Sequence, residues 1–275
     1  MNSADMKLKP IGVFDSGVGG LTVLKALREE LPNEDLLYLG DTARLPYGTK
    51  SPVSISRYAC RATRHLQEQG IKLLVVACNT ASAVALDALR EQMAPLPVIG
   101  VVEPGATAAV AARPKGSHLV LATEATVRLG AYRHAIEARD GDATVAELPC
   151  EVLVSLAEEG WLDGDIAADI VRRYLENLDE PARHPDCVIL GCTHFPLLRD
   201  TIASVIDDDI VIVDSASTTA AFAASELERA GLLNEQTEPG SLTLLATDGV
   251  TRFARVGGQF LGHDLSPDDI QIVDL

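Results

Sequence analysis

Short runs of apolar residues alternate along the chain with longer stretches in which apolar positions recur every three or four residues. "IGVFD" (11–15), "DLLYLGD" (35–41), "KLLVVAC" (72–78) and "LPVIGVVEPG" (96–105) have the length and composition of strands. Between them "GLTVLKALREEL" (20–31), "SPVSISRYACRATRHLQEQG" (51–70) and "TASAVALDALREQM" (80–93) have the helical period. The second of these carries Pro52 near its start and Gly70 just past its end. Strands that are apolar throughout, each followed by a helix, predict an α/β chain around a largely parallel sheet covered on both faces. Ligands of such sheets sit beyond the carboxyl ends of the strands, where Asp15, Asp41, Cys78 and Glu103 fall.

The pattern then repeats. "SHLVLATEAT" answers "IGVFDSG", "DCVILGCTHF" answers "KLLVVACNTA", and "DIVIVDSAS" answers "LPVIGVVEPGA". Thr123 lies 108 residues after Asp15, Cys192 lies 114 after Cys78, and Asp214 lies 111 after Glu103. Three matches in order at nearly constant offset predict two pseudo-symmetric, doubly wound parallel-sheet lobes with the active site between them. After Asp214 the chain adds a helix (217–233), a strand (241–249), a second helix (250–262) and a last strand (270–275), too little for a third domain. We therefore expect lobe one to comprise residues 1–103 plus 215–275, with residues 104–214 inserted as lobe two.

Composition narrows the class. A hydrophobic content of 47% over 275 residues suits two modest globular lobes. The N-terminal "MNSADMKLKP" lacks the apolar core of a signal peptide, and the longest apolar stretches are broken by Asn79, Asp87, Glu103 or Pro104. The expectation is a cytoplasmic protein with no membrane partner. A net charge of −17 argues against nucleic acid as a partner and would repel small anions, so an anionic substrate would have to be held by local backbone N–H groups. The five cysteines, at 60, 78, 150, 187 and 192, form neither a disulfide framework nor a CxxC pair, which predicts reduced thiols and no zinc.

Two of those thiols, Cys78 and Cys192, occupy equivalent strand tips in the two halves. A twofold relation would set them on opposite sides of whatever lies between, and inversion at a carbon requires an acid and a base on opposite faces. Both precede predicted helix starts, which favours thiolates there. Asp15 and His194 lie close enough in the pattern to assist, although spacing alone assigns neither a role. Ser16, Asn79, Thr80 and Thr193 supply polar groups suited to an amino acid. All six lysines lie outside these motifs, so no pyridoxal cofactor is expected. "GVGG" resembles a dinucleotide fingerprint, but Thr22 occupies its sixth position; it reads better as a strand-to-helix turn that lets substrate approach closely. The residues alone leave open a racemase for another amino acid, a hydrolase or decarboxylase using one thiol with His194, and an amino-acid-binding protein.

"FDSGVGGLTV", "DTARLPYG", "VVACNTASAVAL", "VVEPGA", "GCTHFPLL" and "VDSA", in that order from about Ile11 to Ala216, together resemble glutamate racemase of the aspartate/glutamate racemase superfamily. The resemblance implies a cofactor-independent isomerase that interconverts L- and D-glutamate and supplies D-glutamate for peptidoglycan, commonly as a homodimer. It implies that Cys78 and Cys192 are the two acid/base catalysts, assisted by Asp15, His194 and Glu158. It places substrate contacts at Asp15, Ser16, Tyr47, Gly48, Asn79, Thr80, Thr123, Thr126, Thr193 and His194. The chain departs from the family at "ATEATVRLG", where Ala122, Ala125 and Leu129 are expected to tighten the loop that carries the two threonines.

Overall fold

The computed structural model describes residues 3–275. Its strands are β1 (Ile11–Asp15), β2 (Leu36–Gly40), β3 (Leu73–Val76), β4 (Val98–Gly100), β5 (Ser117–Ala122), β6 (Thr144–Pro149), β7 (Cys187–Gly191), β8 (Val211–Asp214), β9 (Leu242–Ala246) and β10 (Ile270–Ile272). They form two sheets, β10-β9-β2-β1-β3-β4 and β6-β5-β7-β8, and every strand pairing among the described residues is parallel. The α/β class and the parallel sheets are as the sequence predicts. The order β2-β1-β3-β4 in one sheet recurs as β6-β5-β7-β8 in the other, with β1, β3 and β4 answered by β5, β7 and β8.

Every residue of β1, β2, β3 and β7 is buried. Helices cover both faces of these strands, so no polar alternation is needed and the sequence reads as uninterrupted apolar runs. The helix Ser215–Ala230 packs on the helix Leu21–Glu30 beside the first sheet and on the helix Val102–Ala112 leading into the second. One continuous apolar core consequently holds Leu21, Leu24 and Val75 together with Leu121, Leu190 and Ala220. The helix Pro52–Glu68 starts as its sequence indicates: the Ser51 hydroxyl accepts from the Ser54 N–H at 3.4 Å, and Pro52 sits where a missing N–H costs nothing. It ends before Gly70, whose φ of +81° is one that glycine adopts without strain.

Two local expectations need correction. "LPVIGVVEPG" is not one long strand: β4 stops at Gly100, and the helix Val102–Ala112 begins at once, with Pro104 tolerated in its first turn because those N–H groups have no intrahelical acceptor. Glu103 therefore leaves the strand tips, and its carboxylate pairs on the surface with Arg139. Strand β6 has no counterpart in the sequence reading, because "TVAELP" is a half-exposed edge strand without an apolar run.

His118 on β5 is buried, which pushes its pKa below the ordinary histidine value, while Asp186 and Asp140 act against that shift. The unfolded chain thus binds this proton more readily than the folded one. The stability contributed by neutral His118 is present above about pH 6.5 and is lost as the pH falls toward the lowered folded value. His118→Leu is expected to flatten the decline in Tm between about pH 7 and pH 5; an equally steep decline in the variant would assign that acid sensitivity to other groups.

Candidate active site

Cys78 follows β3, where the Ala77 N–H still donates to the Phe14 carbonyl at 2.8 Å. It is the N-cap of the helix Asn79–Met93, and its sulfur accepts from the Ala81 N–H at 3.4 Å and donates to Ser16 Oγ at 3.4 Å. Burial raises the Cys78 pKa, the Asp15 charge raises it further, and the Ser16 and Ala81 contacts only partly oppose them, leaving it at about 12. The helix N-terminus anticipated from sequence is present, but desolvation outweighs it. At neutral pH Cys78 holds its proton.

Cys192 follows β7. The expected helix start is absent here: a short 3₁₀ turn, Phe195–Leu198, comes first, and the helix after it spans only Arg199–Ala203. In place of a helix dipole, His194 Nδ1 lies 3.8 Å from the Cys192 sulfur. His194 Nε2 meets Glu158 Oε1 at 3.1 Å, and the Phe260 ring stands edge-on to the imidazole at 5.2 Å. Burial alone would lower the His194 pKa, but its contacts with Cys192 and Glu158 prevail and hold it at about 10. The hydrogen bond from His194 in turn holds the Glu158 carboxyl below its ordinary range, against the opposing effect of burial. The two thiols thus sit in unlike settings, one protonated beside a carboxylate and the other beside a charged imidazole.

Asp15 ends β1 and is 1% exposed. Its Oδ2 accepts from the Gly17 N–H at 2.8 Å, and its Oδ1 has no hydrogen-bond partner among the described residues. Burial raises its pKa, opposed chiefly by the charge of His194. Asp41, just past the end of β2, is an anchor: it accepts from the Tyr47 hydroxyl at 2.6 Å, Arg44 at 2.7 Å and Thr247 at 3.0 Å, fixing the loop that brings Tyr47 and Gly48 to the site.

The two strand ends meet at a small cleft whose wall includes Ser16, Tyr47, Gly48, Cys78, Asn79, Thr80, Thr123, Cys192, Thr193 and His194. Ten of the sequence-predicted residues therefore share one cavity. Thr126 stands behind the wall, within 3.0 Å of Thr123 Oγ1 and 3.4 Å of Thr80 Oγ1, and Thr80 and Thr123 meet at 3.0 Å. Ala122 and Ala125 are fully buried beside this hydroxyl cluster. Asp15 lies off the wall, next to Cys78. Glu158 opens instead onto a second cavity, on the far side of His194. Cys150 and Cys187 are fully buried.

Several contributors escaped the sequence reading. Glu151 and Val154 line the cleft. Tyr132, fully buried, donates to Asn79 Oδ1 at 2.7 Å and so fixes the face that this amide turns to the cleft. Gly19 was read as making room for substrate, but a Cβ there would come within 2.3 Å of Thr193 Oγ1 and 2.5 Å of His194 Nδ1. The approach that Gly19 permits is that of the loop carrying the second thiol, which the Thr22 hydroxyl also ties by donating to the Thr193 carbonyl at 2.9 Å. The "GVGG" signal was real; its beneficiary lies far along the chain.

Comparison with known proteins accords with this arrangement. Residues 11–223 match the Asp/Glu/Hydantoin racemase family. The glutamate racemase of Geobacter metallireducens is 46% identical over 260 residues, covering 94% of this chain and 95% of that one. Among solved structures, glutamate racemase from Francisella tularensis in complex with D-glutamate aligns with a TM-score of 0.89 at 35% identity, covering 98% of each chain. The Thermus thermophilus glutamate racemase in complex with β-chloro-D-alanine aligns at 0.87 with 41% identity, again over 98% of each.

Proposed function

Because the chain belongs to the Asp/Glu/Hydantoin racemase family, we propose that it interconverts L- and D-glutamate by proton transfer between two thiols, supplying D-glutamate for peptidoglycan. The observation that carries this reading is the presence of Cys78 and Cys192, from the strand ends of two different sheets, on the wall of one cleft. Ser16, Asn79, Thr80, Thr123 and Thr193 surround them with hydroxyl and amide groups able to hold carboxylates.

For the enantiomer whose α-hydrogen faces Cys192, the Cys192 sulfur removes that proton and the electron pair passes into the α-carboxylate. Cys78, which holds its proton at neutral pH, delivers it to the opposite face. The imidazole of His194, 3.8 Å from the Cys192 sulfur and held charged by its contacts, stabilises negative charge on that sulfur in the course of the transfer. The other enantiomer runs the same steps backwards: Cys78 takes the proton and Cys192 returns one. Thr126 supports the hydroxyls of Thr80 and Thr123, and the charge of Asp15 acts on Cys78.

The test is incubation of the protein with L-glutamate in D2O with no pyridoxal phosphate added, following optical rotation and the α-proton NMR signal together. Both signals are expected to decay. Folded protein that changes neither would overturn the reading and turn attention to aspartate and other amino acids.

A further inference from the structure

The chain of contacts from Cys192 does not end at Glu158. While Glu158 Oε1 meets His194 Nε2, its second oxygen accepts from Arg252 Nη2 at 2.6 Å. Glu158 belongs to the helix Glu151–Glu159, between strands of the second sheet, and Arg252 to the helix Val250–Leu261, which follows β9 of the first. Two turns further along, that same helix sets Phe260 against the His194 ring. One helix therefore braces both the imidazole and the carboxylate that orients it.

Glu158 needs that brace because its carboxylate borders an open cavity, lined also by Val18, Leu45, Asp248 and Phe253, where other rotamers have room. Arg252 is half-exposed, so its charge is screened and its effect is chiefly geometric. With Oε2 taken up by the guanidinium, Oε1 is left aimed at Nε2 and the opposite ring nitrogen at the sulfur. The charged or titratable groups facing His194 are Cys192, Glu158 and Asp15, with Arg252 behind Glu158.

We propose that Arg252 is a positioning residue for the Cys192 half of the reaction, holding Glu158 so that His194 stays directed at the Cys192 sulfur. The inference rests on the racemase reading for its consequence in turnover, but its geometry is testable without substrate. In a Cys78→Ala background, the rate at which iodoacetamide alkylates Cys192 near neutral pH, read by peptide mass spectrometry, reports on the thiol–imidazole pair directly. Arg252→Met is expected to slow that alkylation about 3- to 10-fold, with Arg252→Lys restoring most of it. With both thiols present, Arg252→Met should lower kcat by a similar factor while KM stays within about twofold. Combined with Glu158→Gln, its effect should largely disappear, since both changes cut one chain. Alkylation at the unmodified rate in Arg252→Met, or full additivity with Glu158→Gln, would overturn the proposal even if Tm fell. Normal effects on alkylation in a protein that does not act on glutamate would instead count against the racemase reading alone.

Discussion

Replacing either Cys78 or Cys192 with alanine is expected to lower the rate of glutamate racemisation by roughly 10⁴-fold, the upper end of what one positioned acid or base contributes. The two losses should be of similar size, because the proposed reaction uses one thiol as base and the other as acid whichever enantiomer is consumed. Glutamate should still bind both variants within about threefold of the unmodified protein by calorimetry, since each sulfur occupies only part of a wall otherwise built from hydroxyls and amides. A one-thiol reaction assisted by His194 predicts a different pair of numbers: Cys192→Ala inactive and Cys78→Ala near normal. That result would remove the two-base mechanism. Loss of binding together with loss of the folded-state circular dichroism signal would report misfolding, and Cys→Ser variants, closer in size and polarity, then carry the comparison.

The second large effect is expected at a residue with no reactive group. Gly19→Ala puts a methyl where Thr193 Oγ1 and the His194 ring already stand, at separations that no relaxed structure keeps. The loop after β7 must then retreat, taking the imidazole away from the Cys192 sulfur and straining the Thr22–Thr193 tie. A displacement near 1 Å costs roughly 10²-fold in turnover. The chain should remain folded, since this loop takes no part in the strand pairings of either sheet. Measurement of kcat/KM beside Tm separates the two effects. An active Gly19→Ala enzyme would show that the loop can shift without cost and that His194 is not held by this approach.

Much of this was legible in the letters because of how the sheets are buried. Strands β1, β3 and β7 lie under helices on both faces, so their sequences are apolar runs ending abruptly at Asp15, Cys78 and Cys192, and the ends of the runs are the site. The correspondence of three strands between the two halves was legible from their apolar runs; β6, whose edge position leaves it half-exposed and unpatterned, was not. What could not be read was where distant segments touch. Nothing local to Gly19 says that Thr193 and His194 will press on it, and nothing local to Arg252 distinguishes it from any other arginine on an amphipathic helix. The environment of the cysteines was equally hidden. A helix start after Cys78 suggested an easy thiolate, yet the depth of burial, a property of the whole lobe, decides the balance in favour of the thiol.

The recurrence of one strand order in both sheets has a historical implication. A fold composed of two like halves, each ending in a thiol at the same strand tip, is what duplication and fusion of a half-sized ancestor leaves behind. Such an ancestor, pairing with a second copy of itself, would already have enclosed two sulfurs in a shared cleft, identical by symmetry and indifferent to the handedness of what lay between them. The halves as they stand have since grown unlike around their sulfurs, His194 and Glu158 beside one and Asp15 beside the other.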